Sequence, residues 1–349
     1  KLKEKNYFFK MSKYQQDLIE HIESNPKFIQ PEHRKNEILG FLRQPLNDLC
    51  ISRPKSRLSW GIELPFDSDY VTYVWFDALI NYITAVGFKE DNELFNSWWP
   101  VSYHLIGKDI LTTHAVYWPT MLLSAGIQLP QSIFAHGWWL MGDSKMSKSL
   151  GNVINPMDLI DDYGVDPVRY YLMREMVLGH DSSFTIESFI QRYNSDLAND
   201  FGNLLSRVST LIKKNYDGII PEPGDYLEPD IQIKVKGESL SSQIEILIGD
   251  MRLNEAIEEI MQYVRTVNKY MEDNAPWKLV KEDKTAAGRI LYVAGEALRL
   301  SAVLLSPVMP HRTSTLLDAL NAKDTDISWG KLNPGNMLKD HEPLFPRIK

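Results

Sequence analysis

The 349-residue sequence contains a single cysteine, Cys50. One cysteine cannot form an internal disulfide, and it cannot build a zinc site that needs several thiolates. No apolar run approaches the roughly 20 residues that a membrane-spanning helix requires. The charged start, from Lys1 to Lys5, leads into no apolar segment of a secretory signal. These absences predict a cytoplasmic protein that does not enter a membrane and has no zinc ligands of its own.

Positive charge is also scarce, since 38 lysines and arginines accompany 46 aspartates and glutamates and leave a net charge of −8. A protein that coats nucleic acid non-specifically needs an excess of cations for the phosphates, so that class is disfavoured. A specific RNA partner, bound through local patches, remains compatible with this charge. The composition, 44% hydrophobic and 24% charged, is typical of a globular protein, and the length allows two or three domains.

Strands alternate with helices in the first 150 residues. Buried strands are predicted at 70–76, 102–107 and 133–141, the last leading directly into a lysine-rich loop. Helices are predicted after the first two strands, at 77–86 and 109–125. Earlier in the chain, the pattern predicts two helices and an extended stretch, at 14–23, 31–42 and 49–66. Alternation of this kind predicts an α/β fold with a parallel sheet, which binds ligands at the carboxyl ends of its strands.

From residue 188 onward the pattern is helical. Three apolar stripes with helical spacing run through 197–212, 253–267 and 290–305. Three amphipathic helices of this length predict a bundle. A turn-rich connector is predicted at 221–229, and roughly the last 30 residues are predicted to pack along the surface as a tail.

The segment from Lys145 to Ser149, Lys-Met-Ser-Lys-Ser, carries the most specific chemical signal. Its two lysines, Lys145 and Lys148, could close over a polyphosphate and stabilise the charge that develops on a leaving pyrophosphate. No glycine run precedes the first lysine, so the segment is not a Walker A loop. A solvated serine- and lysine-containing turn is the competing interpretation.

Gly107 and Asp109 follow the predicted strand at 102–107. A glycine lets a nucleotide approach the backbone, and a carboxylate at a strand end can accept hydrogen bonds from ribose hydroxyls. Asp109 could equally cap the helix that follows. By themselves these two residues are therefore a weak indication of a nucleotide site.

Four aromatic side chains, Trp75, Tyr82, His114 and Trp118, could line a small apolar pocket with polar rims. His114 and Trp118 are four residues apart and share a helix face. Such a pocket suits a flexible uncharged side chain such as a thioether. Ordinary aromatic packing in a core is the competing interpretation and the more frequent one.

Asn203 and Arg207 lie one turn apart on a predicted helix, away from its apolar side. An amide and a guanidinium side by side can hydrogen-bond the edges of unpaired bases. The segment Ala275-Pro-Trp277 adds a tryptophan on which a single-stranded base could stack. A solvated helix face and an ordinary helix start are the competing interpretations.

Together these patterns resemble those of methionyl-tRNA synthetase, a class I aminoacyl-tRNA synthetase. The resemblance rests on motifs that follow in order along the chain: Tyr7-Phe-Phe-Lys-Met-Ser-Lys-Tyr14, Ile51-Ser-Arg53, Trp75-Phe-Asp-Ala78, Gly107-Lys-Asp109, His136-Gly137, Lys145-Met-Ser-Lys-Ser149, Asn203-x-x-x-Arg207 and Ala275-Pro-Trp277. It implies the C-terminal half of a Rossmann-type parallel α/β sheet, followed by an all-α anticodon-binding helix bundle.

The resemblance implies a methionine-tRNA ligase of protein synthesis. Such an enzyme activates methionine with ATP and Mg²⁺ to methionyl-adenylate and transfers the methionyl group to initiator and elongator methionine tRNA. We expect a cytoplasmic monomer. A synthetase for leucine, isoleucine, valine or cysteine resembles this chain around the lysine loop and is one alternative. A non-catalytic tRNA-binding fragment is another.

The resemblance also implies roles for individual residues. The catalytic candidates are Lys145, Ser147 and Lys148. The ATP-binding candidates are Glu63, Gly107, Asp109, His136, Gly137, Trp139 and Lys148. The methionine-binding candidates are Arg53, Trp75, Ala78, Tyr82, Ile110, His114 and Trp118. The anticodon-binding candidates are Asn203, Arg207 and Trp277.

The chain departs from the family at one motif. None of its eight histidines lies in the His-x-Gly-His arrangement that contacts the ATP phosphates in the family. We therefore expect a chain that lacks the N-terminal half of the catalytic domain and forms no adenylate alone. The implied division is the end of a connective insertion and the return to the catalytic fold (1–68), the second catalytic half (69–150), a stem-contact-type linker (151–187) and the anticodon-binding domain with its tail (188–349).

Overall fold

The computed structural model describes residues 4–101, 103–142, 144–146 (backbone only at 144 and 145) and 154–349. The chain divides into two compact units, residues 1–138 and residues 139–349. The first unit combines short strands with helices, whereas the second is mainly helical. No helix among the described residues is both long and apolar enough to cross a lipid bilayer.

The first unit contains eight strands and five α-helices among its described residues. The strands are β1 (Phe8–Phe9), β2 (Ile29–Gln30), β3 (Leu49–Cys50), β4 (Ser52–Pro54), β5 (Glu63–Leu64), β6 (Asp67–Thr72), β7 (Tyr103–Gly107) and β8 (Ser132–His136). The helices are α1 (Gln15–Ser24), α2 (Glu32–Leu42), α3 (Val74–Thr84), α4 (Asn92–Trp98) and α5 (Trp118–Ala125). The helices predicted near the start of the chain are thus confirmed.

A parallel sheet with the order β2-β8-β7 forms the centre of the first unit. The central strand β8 is buried at Ile133, Phe134 and Ala135, as expected for a parallel strand covered on both faces. Gly107 at the end of β7 lies beside His136 at the end of β8. The predicted α/β class is confirmed, and the carboxyl ends of β7 and β8 meet at one edge.

The predicted buried strand at 70–76 is right for residues 70–72 and wrong for the rest. β6 ends at Thr72 and belongs to an antiparallel sheet with the order β4-β6-β5, and α3 begins at Val74. Val74 is 61% exposed, whereas Leu79 and Ile83, four residues apart, are buried. The segment from Val74 onward therefore follows the helical period and does not continue the strand.

The predicted strand at 133–141 is also wrong, because it is two strands in different sheets. β8 ends at His136, and β9 (Trp139–Met141) pairs with β10 (Ser144–Lys145) and β11 (Ser182–Ser183). The chain turns between them at Gly137, whose carbonyl oxygen lies 2.7 Å from His136 Nδ1. A glycine within an apolar run often marks such an interruption.

The helix predicted at 109–125 is irregular. A 3-10 turn at Lys108–Ile110 and a π-helical turn at Thr113–Tyr117 precede α5. Pro119 lies in the first turn of α5 and has no backbone N–H to continue a regular ladder before it. This local widening positions His114 relative to the tryptophan that begins α5.

The second unit contains nine α-helices among its described residues. They are α6 (Pro156–Tyr163), α7 (Val165–Glu175), α8 (Ile186–Arg192), α9 (Asn203–Asn215), α10 (Glu228–Gly249), α11 (Leu253–Asn274), α12 (Pro276–Leu279), α13 (Lys284–Leu305) and α14 (Pro310–Ala319). A π-helical segment, Tyr193–Gly202, joins α8 to α9. The predicted helical bundle is confirmed.

The central helix of this bundle is α13, in which every residue from Ile290 to Ala302 is buried. A helix buried on all sides lies inside a bundle, and α9, α10 and α11 pack around it. α10 was not predicted as a separate helix. It approaches α11 at Gly237, where a Cβ would lie 2.5 Å from the Tyr263 hydroxyl, so this close contact requires glycine.

The prediction of a surface tail is incomplete. Residues 320–349 contain no helix, but six apolar side chains from this stretch are buried in the core of the bundle. They are Leu320, Ala322, Leu332, Leu338, Leu344 and Phe345. The tail therefore completes the hydrophobic core of the second unit as well as covering its surface.

A fully buried ion pair holds the tail in place. Arg299 Nη2 lies 2.8 Å from Glu296 Oε1, and both side chains are 0% exposed. Arg299 donates to the carbonyl oxygens of Asp326 and Ser328, and Glu296 accepts from the backbone N–H of Leu332 at 2.7 Å. Because both charges are paired and hydrogen-bonded, the tail is fixed by backbone contacts rather than by surface packing alone.

Candidate functional site

The aromatic residues predicted to form the methionine pocket come from α3, from the π-helical turn and from the start of α5. The Tyr82 hydroxyl lies 2.9 Å from His114 Nε2, and His114 Nδ1 lies 3.0 Å from the Ile110 carbonyl oxygen. Since a carbonyl oxygen only accepts, Nδ1 carries the proton of the neutral ring. His114 Nε2 then accepts from Tyr82, and the three residues form one directed chain of hydrogen bonds.

Burial keeps the His114 and Tyr82 side chains of this hydrogen-bonded series uncharged. It lowers the pKa of His114, an effect that the hydrogen bond to the Ile110 carbonyl partly opposes. Burial also raises the pKa of Tyr82. Both side chains are therefore neutral near pH 7, because the charged form of each would lose hydration. The pocket wall at this point is polar in its hydrogen bonding but carries no net charge.

Trp118 and His104 complete the buried side of the pocket. Trp118 is 1% exposed, and its indole N–H donates to His104 Nε2 at 3.2 Å. His104 was absent from the residues predicted for the site. The signal that could have found it is strand alternation, which places His104 on the same buried face of β7 as Ile106.

The open side of the pocket lies on α3. Trp75, Ala78 and Tyr82 follow one another at spacings of three and four residues, so they share a face of the helix. Trp75 is 37% exposed and Ala78 is exposed, whereas Tyr82 is half-buried. The predicted methionine-binding residues on α3 thus run from the surface toward the buried rings.

Arg53 lies on β4, in the antiparallel sheet of the same unit. Its guanidinium carbon lies 4.3 Å from the centroid of the Tyr73 ring. It also donates to the Ser52 carbonyl oxygen at 2.8 Å and to Cys50 Sγ at 3.0 Å. The ring and these two acceptors hold the guanidinium in one orientation, so Arg53 is a fixed positive charge of the first unit.

The edge where β7 and β8 end presents the predicted nucleotide residues of the first unit. A Cβ on Gly107 would lie 2.6 Å from Asp109 Oδ1, so only glycine leaves that carboxylate in place. Asp109 Oδ1 accepts from the Trp138 indole at 3.2 Å, and Lys108 Nζ lies 4.2 Å from the Trp138 ring. His136 lies opposite Gly107, as described above.

The other predicted catalytic and ATP-binding residues lie elsewhere in the chain. Glu63 is on β5 and forms an ion pair with Lys55. Trp139 is on β9 of the second unit, where its ring stacks on Tyr171 at 6.0 Å. Lys145 lies in β10, and its backbone pairs with that of Leu140 in β9. The last two predicted residues, Ser147 and Lys148, lie outside the described residues.

The predicted anticodon residues lie together on the second unit. Arg207 on α9 places its guanidinium carbon 5.1 Å from the centroid of the Trp277 ring on α12. Arg207 Nη1 is also 3.9 Å from Glu272 Oε1, and Trp277 is 36% exposed. Asn203 is exposed one turn before Arg207. A backbone with φ +40° at Ala275 turns the chain so that α12 presents this tryptophan.

A surface cavity of about 320 Å³ adjoins this pair, and its lining residues are Ser206, Arg207, Thr210, Leu211 and Trp277. It combines an aromatic face, a guanidinium and hydroxyl groups, which together can stack and hydrogen-bond a planar base. In the described part of the chain, no group of three or more histidine, cysteine, aspartate or glutamate side chains could hold a metal ion.

Comparison with known families decides the relationship of the chain. A family model described as tRNA synthetases class I (M) matches residues 1–209. A second model, described as the anticodon binding domain of methionyl tRNA ligase, matches residues 220–349. The chain belongs to the methionyl class I tRNA synthetases. The stretch between the two matches, residues 210–219, covers the C-terminal part of α9 and the turn that follows it.

Individual methionyl-tRNA synthetases agree with this assignment. The chain is 45% identical over its full length to the methionine–tRNA ligase of Clostridium acetobutylicum, and 42% identical over 99% of its length to that of Caldanaerobacter subterraneus. It covers 55% of each of those proteins. The chain therefore spans about half the length of these curated relatives.

Solved structures of methionyl-tRNA synthetases have the same fold. The crystal structure of the Mycobacterium tuberculosis enzyme bound by methionyl-adenylate is 40% identical, with a TM-score of 0.93 over 98% of this chain and 69% of that chain. The apo form of the same enzyme gives a TM-score of 0.91 at 38% identity. At these identities the likeness covers both sequence and fold.

Proposed function

We propose that this chain contributes the methionine pocket, part of the ATP site and the anticodon-binding surface of a methionine-tRNA ligase. The observation that carries the proposal is the neutral chain of hydrogen bonds through Tyr82, His114 and Ile110, beside the buried indole of Trp118. Membership of the methionyl class I synthetases supports the same assignment.

The proposed methionine pocket matches its ligand by polarity. A thioether is apolar and polarisable, and it packs favourably against aromatic rings. Uncharged rings line the buried end of the pocket, whereas Arg53 is a fixed cation on a neighbouring sheet of the same unit. We assign the buried rings to the methionine side chain and Arg53 to the polar end of the amino acid. Trp75, Ala78 and Ile110 would form the remaining wall.

The proposed activation step is attack of a methionine carboxylate oxygen on the α-phosphorus of ATP. The bond from that phosphorus to the bridging oxygen breaks, and pyrophosphate leaves with the electron pair. We propose that Lys145, Ser147 and Lys148 stabilise the charge on the pyrophosphate. Gly107, Asp109 and Glu63 would border the ribose, and the backbone from His136 through Gly137 to Trp139 would bind the adenine. Magnesium enters as part of the ATP substrate.

The proposed tRNA contact is the surface formed by Asn203, Arg207 and Trp277. The proposal is supported by the Arg207 guanidinium, which lies over the face of the partly exposed Trp277 ring with its carbon 5.1 Å from the centroid. An anticodon base would stack there, while Asn203 and Arg207 bind base edges. Methionine tRNA, both initiator and elongator, is the proposed partner.

The proposal also covers the activity of the isolated chain, its functional parts and its oligomeric state. We propose that this polypeptide by itself forms no adenylate, because none of its histidines provides the His-x-Gly-His contacts to the phosphates. We propose that the functional parts of the chain meet after residues 68, 150 and 187. We also propose a monomer. A pyrophosphate-exchange assay of the isolated chain should give no signal above background. Robust exchange would refute the proposal that the chain by itself forms no adenylate.

Amino-acid-dependent melting shifts test the proposed substrate. Methionine should raise the melting temperature of the chain more than leucine, isoleucine, valine or cysteine at equal concentration, because binding to the folded state stabilises it. Equal shifts for all five amino acids would contradict the methionine assignment. A larger shift with one of the other four would favour that synthetase instead.

Binding of methionine tRNA tests the proposed partner. Trp277→Ala should weaken binding about tenfold, since base stacking on an aromatic side chain is lost. Trp98→Ala changes a tryptophan that is 63% exposed on the first unit, and it should leave the affinity unchanged. Equal affinities of the Trp277→Ala variant and the parent chain would contradict the anticodon surface.

A further inference from the structure

We propose that His104 is a positioning residue of the methionine pocket, which it serves by fixing the Trp118 indole and the Tyr82 ring. The inference rests on the proposed function and adds a residue that touches none of the reacting atoms. His104 lies behind the pocket on β7, whereas Tyr82 and Trp118 come from α3 and α5. His104 is thus a strand residue that contacts one side chain from each of these two helices.

The first contact is a buried hydrogen bond. The Trp118 Nε1–H donates to His104 Nε2 at 3.2 Å, and the two side chains are 1% and 5% exposed. An indole is only a donor, so Nε2 is the unprotonated nitrogen and the proton of the neutral ring is on Nδ1. Without this acceptor the indole N–H would be buried without a partner, and the ring would lose the contact that sets its rotation.

The second contact is between rings. The centroids of His104 and Tyr82 are 4.3 Å apart at an interplanar angle of 54°. Tyr82 in turn donates to His114, so a shift of the Tyr82 ring would also move that hydrogen bond. The His104 ring also lies 6.3 Å from the ring of Trp99, whose indole donates to the Gln128 carbonyl oxygen at 2.8 Å. His104 therefore has Trp99 as a further ring neighbour besides Tyr82 and Trp118.

An imidazole meets two requirements at this position. A phenyl ring would fill the space against Tyr82 but could not accept from Trp118. A lysine or arginine has no acceptor at its end. Burial, with the nearby His114 as a smaller cause, lowers the pKa of His104 to about 4, so Nε2 remains an acceptor at neutral pH. The hydrogen bond from Trp118 sets the tautomer, and the lowered pKa keeps the ring neutral.

Two substitutions separate the effect of the Nε2 acceptor of His104 from the effect of its side-chain volume. His104→Leu keeps an apolar group of similar size but removes the acceptor, whereas His104→Gln can present an amide oxygen near the former Nε2. Leu105→Gln is the matched control, since it changes the adjacent residue on the exposed face of the same strand. Methionine affinity is measured by calorimetry, and the Trp118 indole signal by nitrogen-15 NMR, with Trp118→Phe to assign it.

We expect His104→Leu to raise the methionine Kd about tenfold and to move the Trp118 indole proton upfield, as one buried hydrogen bond is lost. His104→Gln should return the Kd to within about threefold of the parent chain and restore the indole shift. Leu105→Gln should match the parent. A general loss of packing would affect His104→Gln and His104→Leu alike, and equal losses would overturn the inference.

The remaining outcomes are also decisive. If the parent chain binds no methionine but its indole signal depends on the acceptor at 104, the proposed substrate fails and the positioning of Trp118 stands. If methionine binds equally to parent and His104→Leu, the inference fails and the proposed function stands. Should His104→Leu not fold, the tautomer of His104 in the parent decides, because a protonated Nε2 would contradict the hydrogen bond from Trp118.

Discussion

The two units keep polar side chains in their cores by opposite means. In the second unit Glu296 and Arg299 are fully buried as a charged pair that also binds the backbone of the tail. In the first unit His104 and His114 are buried as neutral rings. A buried charge needs a full set of fixed partners, whereas a neutral imidazole needs one donor or acceptor at each nitrogen.

This difference suits what each unit has to do. The charged pair anchors a long segment without helices against α13 through hydrogen bonds to the backbone of that segment. The neutral rings bring no charge to the proposed methionine pocket, which would favour an apolar ligand such as a thioether. Polar groups thus stabilise the chain itself in one unit and shape a proposed binding pocket in the other.

The largest effect is expected when the charged pair loses one partner. Arg299→Met should lower the free energy of unfolding of the second unit by about 3–5 kcal/mol, because Glu296 would remain buried without its cation. Urea denaturation measures the loss. Arg252→Met removes the cation of an exposed pair with Glu255 and should cause no measurable change. If both variants lose the same amount, the buried pair is no more important than a surface pair.

A smaller effect is expected from acid in the first unit. The pKa of His104 is about 4 in the folded chain, against an ordinary value of 6.5. Between these values the unfolded chain binds more protons, so stability falls as the pH drops from 6.5 toward 4 and is constant above that window. The contribution of His104 is at most about 3 kcal/mol.

His104→Gln should flatten this part of the stability profile, because glutamine does not titrate. Unfolding of the parent and the variant is compared at several pH values, so that the carboxylates common to both cancel. Parallel profiles for the two chains would show that His104 does not resist protonation in the folded state. Arg299→Met should leave the slope of this pH window as it is in the parent.

The smallest effect is expected at the strand end. Gly107→Ala places a Cβ 2.6 Å from Asp109 Oδ1, and the carboxylate can move away at the expense of its hydrogen bond from Trp138. We expect a loss of about 1 kcal/mol in stability and a shifted Trp138 indole signal in NMR spectra. Gly40→Ala on α2 meets no atom within 4 Å and should be neutral or slightly stabilising. An unchanged Trp138 signal would contradict the crowding at Gly107.

The fold was predictable where a pattern extends over many residues. Long apolar stripes with helical spacing predicted α9, α11 and α13. Short runs were ambiguous, because β-branched and aromatic residues occur both in strands and at the start of a helix such as α3. The π-helical turn before α5 and the burial of the tail depend on packing between distant residues, which local periodicity does not contain.

The residues of the candidate site were likewise only partly predictable from the sequence. Residue spacing suggested a cluster that includes Tyr82, His114 and Trp118, the family resemblance assigned it to methionine, and these three lie together in the first unit. Strand alternation could have placed His104 on the buried face of β7, but its hydrogen bond from Trp118 depends on the packing of α5 against that strand. The stacking of Arg207 on Trp277, 70 positions later, likewise depends on the bundle. The functional roles of all these residues remain predictions.

Methionine binding by the parent chain and by His114→Leu tests the pocket most directly. Calorimetry should show binding to the parent and at least about a tenfold weaker affinity in the variant, since Tyr82 loses its acceptor and the pocket its neutral hydrogen-bonded wall. His341→Leu, in the tail of the second unit, is the control and should bind like the parent. Equal methionine affinities of the parent and His114→Leu would contradict the assignment of the neutral rings to the methionine site.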